Sequence, residues 1–210
     1  MAQHRNATPT DLIENRSYTL GRLLSRAFHP ILMNVLTFLI AGYYGLEDHL
    51  AGLAWAGACV LALVLPPTLF YTVRLRQGAY GDEDVSIRQQ RNELYLFAFL
   101  WTLLATAALI PLGVPASLLA VIVVALVMGV IGGIINLFWK ISVHAASVAT
   151  VATVALLHLR SLGIALWICA LAVGWARVRT HNHTPRQVLA GFLVAATTVL
   201  VVFQLFGAQG

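Results

Sequence analysis

The sequence predicts an all-α, polytopic membrane helix bundle of six to seven transmembrane segments preceded by an N-terminal interfacial helix, and three observations carry that expectation. First, 60% of the 210 residues are hydrophobic and only 10% are charged, whereas a soluble domain carries roughly a quarter charged residues. Lipid must therefore solvate most of the chain. Second, the apolar residues fall into runs close to the ~20 residues that a bilayer-crossing helix needs. Little is left over, so one domain with no soluble module is expected. Third, the basic residues gather between these runs on one side.

Taken in order, residues Met1 to Asn6 are polar, with no early apolar core or small-residue cleavage site, so no signal peptide is expected. Over 11–28 the residues Leu20, Leu23, Leu24, Ala27 and Phe28 recur at helical spacing, with Arg22 and Arg26 on the opposite face. That pattern suits a helix lying in the membrane interface, or an amphipathic cap packed on the bundle. Residues 1–29 thus form an N-terminal unit, and 30–210 the transmembrane domain.

Apolar spans follow at about 30–46, 50–72, 94–112, 115–139, 145–159, 162–176 and 188–206. Pro66 and Pro67 should kink the second. Gly129 and Gly133 make a GxxxG step in the fourth, beside Gly132, which reads as close helix packing. Lys140 interrupts the long stretch 115–159. A charge at the bilayer centre costs at least about 2.5–3.5 kcal/mol, so the chain should turn there. Cys59 and Cys169 lie within apolar runs, without metal or redox spacing, and read as packing residues. The five tryptophans read as belt or packing residues.

Counting faces alternately, all of the 13 Lys and Arg residues except Arg160 share one side: Arg5, Arg16, Arg22, Arg26, Arg74, Arg76, Arg88, Arg91, Lys140, Arg177, Arg179 and Arg186. Positive residues favour the cytoplasm, so this face of a cell (inner) membrane protein should be cytoplasmic. The +5 net charge is on this reading an orientation signal, and no nucleic-acid partner is expected.

Three segments bring polar residues to that face. One runs from Asp82 to Glu93 and includes Asp84 and Arg91; a second carries Lys140, Ser142 and His144; a third carries Arg177, His181, His183 and Gln187. The set suits a phosphate group. Arg91, Lys140 and Arg177 can neutralise its oxygens and Ser142 can add a hydrogen bond. One histidine can attack phosphorus while another protonates the leaving oxygen. A dedicated metal site is not suggested, since no acidic residue follows Glu93 and neither HExxH nor CxxC occurs. Singly, these basic residues also read as flanks of spans obeying the positive-inside rule. His158 and His49 read as interfacial or packed histidines.

The second and third segments resemble those of the type 2 phosphatidic acid phosphatase (PAP2) superfamily. Its pattern is a Lys and, seven residues later, Arg-Pro; then Pro-Ser-Gly-His; then Ser-Arg, five residues, His, three residues, Asp. Ser142-Val143-His144 aligns with the second motif, Arg177 and His183 with the third, and Arg91 with the arginine of the first. The resemblance covers about 84–191. The chain departs from the pattern at Asp84 (for Lys), Asn92 (for Pro), Ile141 and Val143 (for Pro and Gly), Ala176 (for Ser) and Gln187 (for Asp). The glutamine resembles the branch of dolichyl-diphosphatase and glucose-6-phosphatase, and Asp84 reads as a helix cap in preference to a site residue.

The resemblance implies a lipid-phosphate phosphatase that needs no cofactor. His183 would attack phosphorus, His144 would serve as acid and then base, and Gln187 would orient His183. Arg91, Lys140, Ser142 and Arg177 would hold the phosphate. His181 is a rival nucleophile but lacks the spacing. The implied partner is a membrane lipid, an isoprenoid (di)phosphate ahead of phosphatidic acid. A non-catalytic relative that binds head groups or scaffolds other membrane proteins is the alternative. A small transporter is a third class, disfavoured because no span drawn above holds a charge at mid-depth.

Overall fold

A computed structural model of the protein describes residues 9–207, with side chains from 15 onward; Arg5 and the other residues of 1–8 lie outside the described residues. The described chain is helical throughout: α1 Pro9–Ala27, α2 Pro30–Gly45, α3 His49–Cys59, α4 Leu65–Arg76, α5 Arg91–Leu109, α6 Ala116–Asn136, α7 Val143–His158, α8 Arg160–Arg179 and α9 Pro185–Phe206. Each predicted apolar run is a helix, and the turn expected near Lys140 separates α6 from α7. Among the described residues, five helical stretches are long and apolar enough to cross a membrane, or six when α1 and α2, bent by 44° at their junction, count as one. This is an integral membrane protein.

The bundle is built around α7. This helix has 16 residues, rich in Ala, Val, Ser and Thr, and most are buried. It packs against α2, α8 and α9, so its neighbours rather than lipid set its environment, and a length short of a full span is tolerated. Small side chains let the surrounding backbones approach, which is how helices pack where lipid supplies no hydrophobic drive between them. Gly191 shows the closeness: a Cβ there would lie 2.9 Å from the Ser142 carbonyl oxygen, so α9 rests directly on the entry to α7.

The second span contains a π-helical turn, Val60–Val64, between α3 and α4. Its cause is Pro66-Pro67. The Ala62 carbonyl would be served by residue 66 in an α-helix or residue 67 in a π-helix, and proline has no N–H at either. The Trp101 indole of α5 donates to that carbonyl at 2.7 Å instead. Trp101 is thus a packing residue with a specific hydrogen-bonding task.

Gly132, beside the Gly129/Gly133 pair, makes the closest approach to α5, where a Cβ would lie 2.9 Å from the Tyr95 ring. A tighter crossing joins α2 to α3, where a Cβ on Gly42 or Gly52 would run into the other's carbonyl. Gly52→Ala is accordingly expected to cost about 1–3 kcal/mol, a typical overpacking penalty, read as a lowered unfolding midpoint in detergent. An unchanged midpoint would mean that the crossing is looser than described.

At the far end of the bundle His158 lies among Tyr44 and Phe203, at ring distances of 6.5 and 6.0 Å. His49 stacks on Tyr43 at 4.3 Å. His158 is a packed histidine, His49 an exposed one stacked on a tyrosine, and both are remote from the polar face.

Candidate active site

Four connections meet at the opposite end: the α1–α2 bend, the 77–87 loop, the α6–α7 turn and the α8–α9 turn. Each delivers a polar side chain for a local reason. Ser142 is the N-cap of α7, its hydroxyl accepting the Ala145 N–H at 3.3 Å, and this cap starts the helix so that His144 sits in its first turn. Thr184 is the N-cap of α9 in a reciprocal capping box with Gln187. That box sets His183 immediately before the helix. Ser142 N–H also donates to the Gln187 carbonyl at 3.2 Å, which locks the two helix starts together. Both N-termini therefore face one region, and their dipoles favour an anion there.

Gln187 fixes the chemistry of His183. Its Oε1 accepts the Thr184 N–H at 3.1 Å and lies 3.2 Å from His183 Nδ1. Because that oxygen is an acceptor, Nδ1 must carry the proton, which leaves the Nε2 lone pair free. Burial, reinforced by the Arg177, Arg91 and Lys140 cations, pushes the His183 pKa down to about 3. The ring is therefore neutral at ordinary pH. Burial, with Arg91 and Arg177 nearby, also lowers the Lys140 ammonium.

This depression has a consequence for stability. The unfolded histidine binds its proton near the ordinary value of 6.5 and the folded one only near 3, so its contribution to stability is lost as pH falls through that window. His183→Gln is expected to flatten the acid side of a plot of unfolding midpoint against pH from 7 to 4. An equal slope in both proteins would exclude the depressed value.

Arg177 and Arg91 are used differently. Arg177, 1% exposed, ion-pairs through Nη2 with Asp84 Oδ2 at 3.1 Å. Its Nε has no hydrogen-bond partner among the described residues. Arg91 donates to three backbone carbonyls: Val85 at 2.7 Å, Asp84 at 3.2 Å and Ile141 at 3.5 Å. It thereby rivets the 77–87 loop to the α6–α7 turn. Val85, held at φ 46°, is a β-branched residue in the left-handed region, a strained conformation that turns Asp84 toward Arg177.

Two cavities share lining residues at this cluster. One, of about 410 Å³, runs among α2, α4, α5, α6 and α7 between apolar residues such as Phe38, Leu63, Phe97, Val121 and Met128, and ends at Arg91, His144, Arg177 and His183. The other, of about 420 Å³, is polar and is bordered by α1 residues such as Arg22 and Arg26. His29, Glu83, Asp84, His144 and Arg177 border both.

Of the residues singled out from the sequence, Arg91, His144, Arg177 and His183 thus line one cavity, with Gln187 behind His183. Lys140 and Ser142 are not in its lining: the Lys140 ammonium reaches the Ser86 carbonyl at 3.4 Å, and Ser142 is fully buried as a cap. His181 is exposed, at φ 57°, and borders neither cavity. Asp84 corrects the capping expectation. It is paired with Arg177, accepts from Asn182 Nδ2 at 3.1 Å and lies 3.8 Å from His144 Nε2. Asn182 and His29, whose ring meets that of His144 edge-on at 5.7 Å, were not anticipated. Asn182 carried only its place between His181 and His183 as a signal, and His29 carried none.

Residues 136–210 match the family model of the PAP2 superfamily. Over that stretch, about a third of the chain, the protein is similar to the PAP2 superfamily. No curated protein and no solved structure matches the chain. The matched segment spans α7 to α9 and contains Lys140, Ser142, His144, Arg177, His183 and Gln187, whereas Asp84 and Arg91 enter the cluster from outside it.

Proposed function

We propose that the protein is a lipid-phosphate phosphatase that hydrolyses an isoprenoid (di)phosphate or a phosphatidic-acid-type lipid through a phosphohistidine. The observation that carries this reading is the junction itself. A buried guanidinium and two histidines stand where a largely apolar cavity meets a polar one, the surroundings an amphiphile with a phosphate head requires. The PAP2 match over 136–210 points to the same chemistry.

In this reading His183 Nε2 attacks phosphorus in line, forming the N–P bond as the P–O bond to the leaving group breaks. Burial and Arg177 lower the His144 pKa, so the ring takes up a proton from the incoming phosphate monoanion and gives it to that oxygen. The neutral His144 then takes a proton from water, whose oxygen attacks phosphorus and releases His183 and inorganic phosphate. Gln187 holds the His183 tautomer. Arg177 and Arg91 balance the charge on the equatorial oxygens, Lys140 adds to the field, and the hydroxyl hydrogen left over from the Ser142 cap supplies a further donor. The transmembrane domain takes in 30–210, with its working residues within 84–191 and 1–29 as an N-terminal appendage. The site faces the cytoplasm of a cell membrane, as the basic residues on that face suggest.

The test is phosphate release from a panel of isoprenoid and glycerolipid phosphates by purified protein without added metal. Release from at least one of them is expected. No release from any substrate would leave the alternative, a PAP2 relative that binds head groups without turnover.

A further inference from the structure

The position of Asp84 bears on which phosphates this site admits. Its Oδ2 lies 3.1 Å from Arg177 Nη2 and accepts from Asn182 Nδ2 at 3.1 Å, and its Oδ1 lies 3.8 Å from His144 Nε2. The carboxylate therefore stands at the junction of the two cavities, on the place from which a phosphate would reach both Arg177 and His144. A carboxylate and a phosphate compete for the same guanidinium fork. Arg177 is almost fully buried, so its guanidinium is held beside that carboxylate. Two anions side by side in a partly dehydrated site repel strongly.

We propose that Asp84 is the specificity-determining residue of this site, an internal anion that must leave Arg177 before a substrate phosphate can seat. The proposal rests on the phosphatase reading and deepens it. An incoming phosphate gains Arg177 only by displacing a carboxylate already bound there, so the head group alone has little net drive. The missing drive comes from an apolar tail buried in the cavity beside Phe38, Leu63, Phe97 and Met128. Long-chain lipid phosphates meet that condition. Inorganic phosphate and short, water-soluble phosphomonoesters do not. The device also limits inhibition by the released phosphate, which has no tail.

The variant that isolates the charge is Asp84→Asn, which keeps the shape and can still accept from Arg177. Inorganic phosphate binding is measured by calorimetry on purified protein in detergent. In parallel, kcat/KM is measured for a short-chain soluble phosphomonoester and for a long-chain lipid phosphate. Asp84→Asn is expected to bind phosphate at least about tenfold more tightly than the wild type, since like-charge juxtaposition is that costly. The ratio of soluble to lipid kcat/KM should rise by a similar factor. A merely structural role predicts no gain in either. Asp84→Ser carries the same expectation should the asparagine variant fail to fold. Phosphate binding that is unchanged, weaker or undetectable in both folded variants overturns the proposal, as does an unchanged ratio. Binding needs no turnover, which separates the two readings. Lipid hydrolysis without tighter phosphate binding sinks the proposal alone. Tighter phosphate binding in a protein that hydrolyses no lipid phosphate sinks the phosphatase reading and confines Asp84 to guarding an anion site.

Discussion

His183→Ala is expected to lower phosphate release by at least about ten-thousand-fold, as loss of a nucleophile does in covalent catalysis. The expectation rests on three features of one side chain. Its Nδ1 is committed to Gln187 Oε1 at 3.2 Å, its pKa is pushed down to about 3 by burial and the nearby cations, and it lines the cavity that ends at Arg177. On the proposed reading the attacking nitrogen, Nε2, is thus unprotonated before substrate arrives. Rapid quenching with a substrate labelled in the phosphate should trap a base-stable, acid-labile label on the wild-type protein and none on His183→Ala. His144→Ala, which removes the proton donor rather than the nucleophile, should slow turnover while leaving His183 able to be labelled by substrates with good leaving groups. Substantial release by His183→Ala would show that the reaction does not pass through this residue.

Arg177→Ala is expected to damage both activity and fold. Removing one preorganised charge from a dry site typically costs about 10²–10³ in rate. The stability loss has a separate origin: Asp84 would keep its charge without its partner, and breaking a buried pair from one side costs about 3 kcal/mol or more, toward the low end here because the Asp84 side chain is 28% exposed. The two effects separate in Arg177→Ala/Asp84→Asn. Its unfolding midpoint in detergent should recover toward the wild type while its rate stays low. Arg177→Lys should not rescue the rate, because an ammonium cannot present the planar fork. Recovery of activity in the double variant would mean that Arg177 serves only to neutralise Asp84.

Most of the fold was legible in the sequence because membrane spans announce themselves by composition. Each apolar run is a helix, and Lys140 marks a turn because a charge cannot sit unpaired in hydrocarbon. The Pro66-Pro67 disturbance was legible as a break but not as a π turn, since that outcome depends on Trp101, 39 residues away from the carbonyl it serves. At the site, Gln187 and His183 were legible together because they are one helical turn apart, and local spacing fixes that geometry. The Asp84–Arg177 pair was not. Its members are brought together only by the packing of the 77–87 loop on the α8–α9 turn, helped by a left-handed backbone at Val85 that no propensity scale would assign to valine. Ser142 has a task that the motif alone did not announce: its oxygen caps the start of α7.

The long cavity draws its two ends from different parts of the chain. His144 and His183 come from the start of α7 and the turn before α9, while Phe38, Leu63, Phe97 and Val121 belong to helices that precede α7. Reshaping those walls changes the contour offered to a guest without moving any group that carries a proton or a positive charge. The contour offered to a guest is thus set mostly by helices before α7 and the polar end mostly by α7 to α9, with α5, which carries both Arg91 and Phe97, the place where the two stretches meet.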